Sequence, residues 1–415
     1  LKNVCTIHFR RANSRQLYIY LFEFVPSESF ESAGTLVQPS VENCFVKIQN
    51  RLVRTSKIGK YFKQFCFKIV YITEIFKNQN VMANRRTFLK SLAGITAGLS
   101  LNHSAYSEEN SRDRLGEVLP KRKFGRTGEY VTMLGTGGYH VGWTTERDAQ
   151  EVIEASLDGG VRFFDTAESY SSGVSEERYG KYLTPKYRDL IFLMTKSTGR
   201  DAKTVQEHLE GSLRRLKVDQ IDLYQVHSIR TPQDVDNRVD SGVLDVLLKA
   251  KQDGKIKYLG FTGHQNPFAH TRMLKQTKES DIMDGVLMPV NVLDQSYFSF
   301  TNNVMPKALD RNMGIMAIKT LADGRFFAKK EKANWTSDDP IIPNYMTIKD
   351  AMHFVWSLPV SVIISGNENA TYMREKIALA RSFSKLSEEE RMALIDKVKD
   401  KAQTGEIEYF KNKEV

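Results

Sequence analysis

The sequence predicts an α/β chain closed into a (β/α)8 TIM barrel, preceded by a disordered or irregular N-terminal extension. From Val131 onward, short apolar runs alternate with amphipathic stretches, which is the pattern of repeated strand–helix units. Eight such runs occur, each followed by a helix-like stretch. The runner-up, a doubly wound open sheet, usually shows a Gly-x-Gly-x-x-Gly turn after its first strand. Gly135-Thr136-Gly137-Gly138 does not have that spacing.

Taken in order, residues 1–81 carry no periodicity that continues into the body. They hold 12 Lys and Arg against 5 Asp and Glu, and all three cysteines: Cys5, Cys44 and Cys66. Residues 82–107 begin Met82-Ala83-Asn84-Arg85-Arg86-Thr87-Phe88-Leu89-Lys90 and continue into a short Gly- and Ala-rich apolar stretch. A basic segment followed by such a stretch reads as an export signal. Arg85-Arg86 with Phe88-Leu89 resembles a twin-arginine (Tat) signal, read by the Tat export machinery. The stretch is short for a membrane span. Ala105 and Ser107 offer small residues for cleavage near Glu108, giving an expected periplasmic location with the signal removed or retained as an anchor. An amphipathic N-terminal helix is the alternative. Because a complete signal follows it, 1–81 is expected to be an upstream extension; a genuine basic domain is the alternative.

The body, 108–415, holds equal numbers of basic and acidic residues, so the chain's formal charge of +10 resides in its first 107 residues. A neutral body has no general field to draw it to phosphate backbones, which argues against a nucleic-acid partner. Without cysteine it forms no disulfide, iron–sulfur cluster or thiolate metal site. Arg122–Glu129 reads as a tight turn, suited to a hairpin under the barrel. Candidate strands are 131–135, 161–164, 190–195, 221–226, 257–262, 284–288, 314–319 and 361–364. Candidate helices are 147–158, 174–183, 203–216, 240–253, 267–276, 302–312, 346–357, 370–382 and 387–404. Gly159-Gly160, Gly254 and Gly314 fall where a helix should yield to a strand. Residues 322–343 form the longest irregular stretch, placed to act as a flap over the mouth.

The chemistry-bearing residues cluster after three of these runs. Phe163-Phe164 leads into Asp165 and Tyr170, Met194-Thr195 into Lys196, and Gln225-Val226 into His227. Strand ends on one face of a barrel converge on one mouth, where such barrels do their chemistry. A free tyrosine, with a pKa near 10, is a sluggish acid or base near neutrality. A neighbouring ammonium lowers that value, and a carboxylate holds the ammonium charged and in place. Tyr170, Lys196 and Asp165 supply these three groups, and His227 can orient a substrate oxygen.

This set resembles the catalytic tetrad of the aldo-keto reductases. The likeness extends to Glu177, Gly180 and Leu183, to Ala317–Gly324, and to Ile363-Ile364-Ser365-Gly366, covering roughly 119–385. It implies a nicotinamide dinucleotide, NADP(H) favoured over NAD(H), bound without a Rossmann fold, and a small-molecule carbonyl or alcohol substrate. It places Thr136 and Asp165 near the nicotinamide end. Thr262, Asn291, Lys319 and Leu321 would line the carboxamide and phosphates, Arg374 would approach the 2′-phosphate, and Glu375 the adenine. The chain departs from the family where Thr262-Gly263 replaces Ser-Asn, Leu287 a glutamine and Ile318 an aromatic. Tyr139, His140, Trp143, Phe326, Phe327 and Trp335 lie in the loops that would set substrate choice, or pack those loops against the barrel. A non-enzymatic dinucleotide-binding sensor and a Schiff-base lyase using Lys196 are the alternatives.

Overall fold

The computed structural model describes residues 9–11, 17–19, 112–324, 326, 330–331, 334–335 and 345–411. The chain divides into two units, 1–96 and 97–415. In the first, Phe9–Arg11 pairs antiparallel with Leu17–Ile19. The export-signal segment, 82–107, lies outside the described residues, as does most of 327–344.

The second unit is a closed parallel barrel. Its strands are β1 (Leu134–Gly137), β2 (Phe163–Asp165), β3 (Phe192–Ser197), β4 (Ile221–Val226), β5 (Ile256–Thr262), β6 (Gly285–Pro289), β7 (Gly314–Ile318) and β8 (Val362–Gly366). Each pairs with the next, and β8 returns to β1 through Ser365↔Thr136 and Gly366↔Gly137. The helices that cover it include α1 (Glu146–Asp158), α2 (Val174–Tyr182), α3 (Ala202–Leu216), α4 (Val243–Gln252), α5 (Pro267–Gln276), α6 (Met305–Asp310), α7 (Ile348–Trp356) and α8 (Ala370–Arg381). Local chemistry starts several of them. Thr145, Asp201 and Asn369 cap α1, α3 and α8 by accepting from a backbone N–H inside the first turn.

The expected hairpin is present, Lys121–Lys123 pairing with Tyr130–Thr132. It seals the bottom of the barrel. Phe124 is fully buried beneath an interior layer of Phe163, Met194, Leu223, Leu287 and Met316. The ring needs two glycines. A Cβ on Gly314 would lie 2.5 Å from it and one on Gly285 2.9 Å. Gly314 therefore makes room for the plug at the start of β7, rather than ending a helix as its position suggests. Asn312, at φ 50°, makes the reversal there.

Three other boundaries move. The run 131–135 serves two strands: Tyr130–Thr132 belongs to the hairpin and Leu134–Gly137 to the barrel, with the change of partner at Met133. Apolar residues continue through both, so the sequence shows no break. Helix 240–253 begins only at Val243, as α4, and the expected loop before it holds a helix of its own, Pro232–Asp240, the two separated at Gly242 with φ 75°. The last helix stops at Lys397, after which a short turn, Lys399–Ala402, leads to a tail that packs on the barrel.

Candidate active site

Asp165 ends β2, Lys196 lies near the end of β3, and His227 directly follows β4. The register sets Asp165 opposite Met194 and Lys196 opposite Gln225, so all three meet at the carboxyl end of adjacent strands. Tyr170 arrives from a turn beyond β2. The chain then passes through Ser171, Ser172 and Gly173 at φ 49°, 55° and 98° before entering α2. Left-handed backbone costs a non-glycine residue roughly 1–2 kcal/mol. Two serines held there mark a turn whose shape is imposed by its surroundings.

Lys196 organises the site. Its Nζ lies 2.5 Å from Asp165 Oδ1 and donates to Tyr170 Oη at 3.0 Å and Thr166 O at 2.7 Å. The ammonium thus donates two hydrogen bonds and forms an ion pair, at a side chain 1 % exposed. Burial works against this ammonium, but Asp165 and Tyr170 outweigh it and hold the lysine above its ordinary pKa. Burial lifts the Asp165 carboxyl against the pull of Lys196. The phenol departs from the sequence expectation: Lys196 does pull it down, yet burial dominates and Tyr170 sits above the ordinary tyrosine value. A raised phenol stays protonated near neutrality. Burial, reinforced by the Lys196 charge, pushes His227 well below the ordinary histidine range, so its imidazole is neutral. Its ring stands 5.7 Å from that of Tyr170, and its Nδ1 is buried without a hydrogen-bond partner among the described residues.

The helix Gly138–Trp143 forms one wall. Tyr139 meets Tyr170 edge-on at 5.5 Å and is 51 % exposed. His140 lies over Gly366, where a Cβ would come within 2.1 Å of its Nδ1, and approaches Glu368 at 3.4 Å. These contacts join the loop after β1 to the turn after β8.

The residues assigned to a dinucleotide are distributed less simply. Thr136 is buried, its hydroxyl donates to Ser156 Oγ on α1, and its backbone lies in register between Ser365 of β8 and Phe164 of β2. Thr262 ends β5 and is buried. Lys319 has φ 57° and pairs with Asp323 at 3.1 Å. Leu321 is half-buried, and Arg374 and Glu375 are exposed on α8. Asn291 is saturated by protein: its Nδ2 donates to Lys319 O and Glu408 Oε1, and its Oδ1 accepts from Leu293 N. Leu287 lies inside the barrel core, in mid-strand, and Ile318 packs against the same layer.

Several residues at the mouth escaped sequence reasoning. The tail brings Lys411 Nζ to Asp294 Oδ1 and Glu408 Oε2, both at 2.6 Å, with the lysine fully buried. Phe410 meets His264 edge-on and lies beneath Lys319 Nζ, while Tyr409 Oη donates to Asp323. Lys376 on α8 donates to Gly366 O and Asn367 Oδ1, and burial lowers its pKa to about 8. Glu408 three residues before Lys411 was the one local signal for the tail.

The sequence pattern of the Aldo/keto reductase family matches residues 133–395. The chain belongs to that family. It is 30% identical over 238 residues to the uncharacterized oxidoreductase YrpG of Bacillus subtilis, covering 51% of this chain and 69% of the relative. An aldo-keto reductase from Bacillus halodurans in its holo form aligns with TM-score 0.56 and 21% identity, over 67% of this chain and 96% of that one. One from Klebsiella pneumoniae, solved in complex with NADPH, aligns with TM-score 0.53 and 21% identity, over 68% and 95%. This aldo-keto reductase is therefore an oxidoreductase enzyme on a TIM barrel, which sets aside the non-enzymatic alternative.

Proposed function

We propose that this aldo-keto reductase interconverts an aldehyde, ketone or sugar carbonyl and its alcohol, with Tyr170 as the proton donor to the reduced oxygen. The observation that carries it is the single ammonium of Lys196 bonded to both Asp165 and Tyr170. A carbonyl oxygen seated between Tyr170 and His227 would meet a protonated phenol and a neutral imidazole. Asp165 fixes the ammonium, the ammonium fixes the phenol, and Tyr139 limits access from one side.

The donor set fits a nicotinamide dinucleotide. Lys319 offers a cation in a turn where Ala322, Asp323 and Gly324, after Thr320 and Leu321, are also left-handed, and Arg374 a second, exposed one. Such a turn presents backbone N–H groups to an anion. The bound group would supply the hydride. NADP(H) is favoured over NAD(H), a choice supported by the NADPH complex of the Klebsiella pneumoniae neighbour and by Arg374.

NADPH and NADH oxidation over an aldehyde, ketone and sugar panel, beside Tyr170→Phe, tests this reading. Turnover that falls at least about 100-fold in the variant supports it; equal turnover overturns it.

Export through the twin-arginine pathway is proposed from Arg85-Arg86-Thr87-Phe88-Leu89-Lys90. Replacing both arginines with lysine should keep the protein in the cytoplasm. Since free cofactor is scarce outside, the exported enzyme should carry its dinucleotide with it, and protein purified from the exported fraction without cofactor would contradict that.

A further inference from the structure

Between Asp165 and Tyr170 lies a carboxylate with no part in the tetrad. Glu168 is 8 % exposed. Its backbone N–H reaches Lys196 O at 3.4 Å. Its Oε1 accepts from Thr198 N at 2.8 Å and from the Thr198 hydroxyl, and lies 3.3 Å from His208 Nδ1 on α3. The same His208 nitrogen is 2.9 Å from Ser197 Oγ. Oε2 is buried with no hydrogen-bond partner among the described residues.

The connectivity makes this a clamp. Glu168 travels with Tyr170 on the turn after β2, and Thr198 follows Lys196 out of β3. One carboxylate therefore ties the segment that bears the phenol to the strand that bears the ammonium. A half-satisfied buried acid is costly where it serves packing alone.

We propose that Glu168 is a positioning residue for proton transfer, holding the turn that bears Tyr170 against the strand end that bears Lys196. The proposal rests on Tyr170 being the proton donor. The groups around the phenol divide clearly. Lys196 favours the phenolate, whereas Asp165 and Glu168 oppose it. His227 is neutral, Tyr179 is held far above its ordinary value by burial, and Tyr139 presents a ring edge. Of the two acids Asp165 acts the more strongly, and Glu168 adds to it.

Titration of Tyr170 in the full chain, followed by NMR of ring-labelled tyrosine and assigned by its loss in Tyr170→Phe, tests this without requiring turnover. Glu168→Gln keeps the shape and an acceptor for Thr198 but removes the charge. Tyr170 should then titrate lower. Glu168→Asp keeps the charge but is too short to reach Thr198. It should preserve the titration and lower kcat for aldehyde reduction about 10-fold at unchanged KM. Wild-type kcat in folded Glu168→Asp overturns the proposal, and an unshifted Tyr170 in folded Glu168→Gln overturns the charge effect, since a purely structural carboxylate would change melting temperature alone. A shifted titration in a protein that turns over no carbonyl would uphold the charge effect and defeat the functional reading instead.

Discussion

The two sides of the barrel mouth are built on different principles. On the β2–β4 side one buried cation, Lys196, is shared by Asp165 and Tyr170, leaving a phenol and an imidazole facing the opening. On the β6–β7 side the cations face the chain's own acids. Lys319 pairs with Asp323, and Lys411 with Asp294 and Glu408, while Asn291 is saturated between them. The first side is arranged to act on a ligand. The second is held together by a tail that returns across more than a hundred residues. The first side leaves its phenol and imidazole to the opening, whereas the second commits most of its charges to one another.

Lys196→Met should break the comparison most severely. It strands Asp165 in the interior, and removing one member of a buried pair costs about 3–5 kcal/mol. Denaturant unfolding should register that loss, and carbonyl turnover should vanish with it. Lys411→Met should come next, because it leaves Asp294 and Glu408 buried without their cation. The expected loss is about 2–4 kcal/mol by the same measurement. Aldehyde reduction should persist at temperatures where the variant stays folded, since the tetrad does not touch this cluster.

A pH experiment sharpens the contrast. Burial raises Glu408 to about 7, with Lys411 opposing and Asp294 reinforcing that rise. A carboxyl that is higher in the folded state adds stability below its unfolded value, near 4.5, and loses that contribution as pH rises through about 7. Glu408→Gln should therefore compare more favourably with wild type at pH 8 than at pH 5, by on the order of 2 kcal/mol. A stability difference independent of pH would show that Glu408 ionises normally. The smallest effect belongs to the edge between the two sides. His140→Gln should cost about 1 kcal/mol or less in thermal unfolding, because the His140–Glu368 pair is partly solvated.

These two sides also differ in how far the sequence discloses them. Asp165, Tyr170, Lys196 and His227 are legible because each follows a strand at short range, and barrel topology alone brings strand ends together. The plug was partly legible: a turn at Arg122–Glu129 suggests a hairpin, but nothing local says that Phe124 requires Gly285 and Gly314 beneath it. The β6–β7 side was hidden because its contacts are long-range. Lys411 finds Asp294 only after the chain has closed the barrel and returned. Asn291 looked like a ligand residue, and its hydrogen bonds to Glu408 and Lys319 could not be anticipated from neighbours in sequence. The raised Tyr170 was hidden for a different reason. Sequence showed the lysine that lowers a phenol and not the burial that outweighs it.

The central claim is that the phenol of Tyr170 delivers the proton. The most direct measurement is the pH dependence of kcat/KM for aldehyde reduction with NADPH in wild type and Tyr170→Phe. The account predicts a rate that holds to the ordinary tyrosine range and falls above it, with a weak residual rate in the variant that lacks this limb. The same alkaline limb in Tyr170→Phe would contradict it and assign the proton to another group.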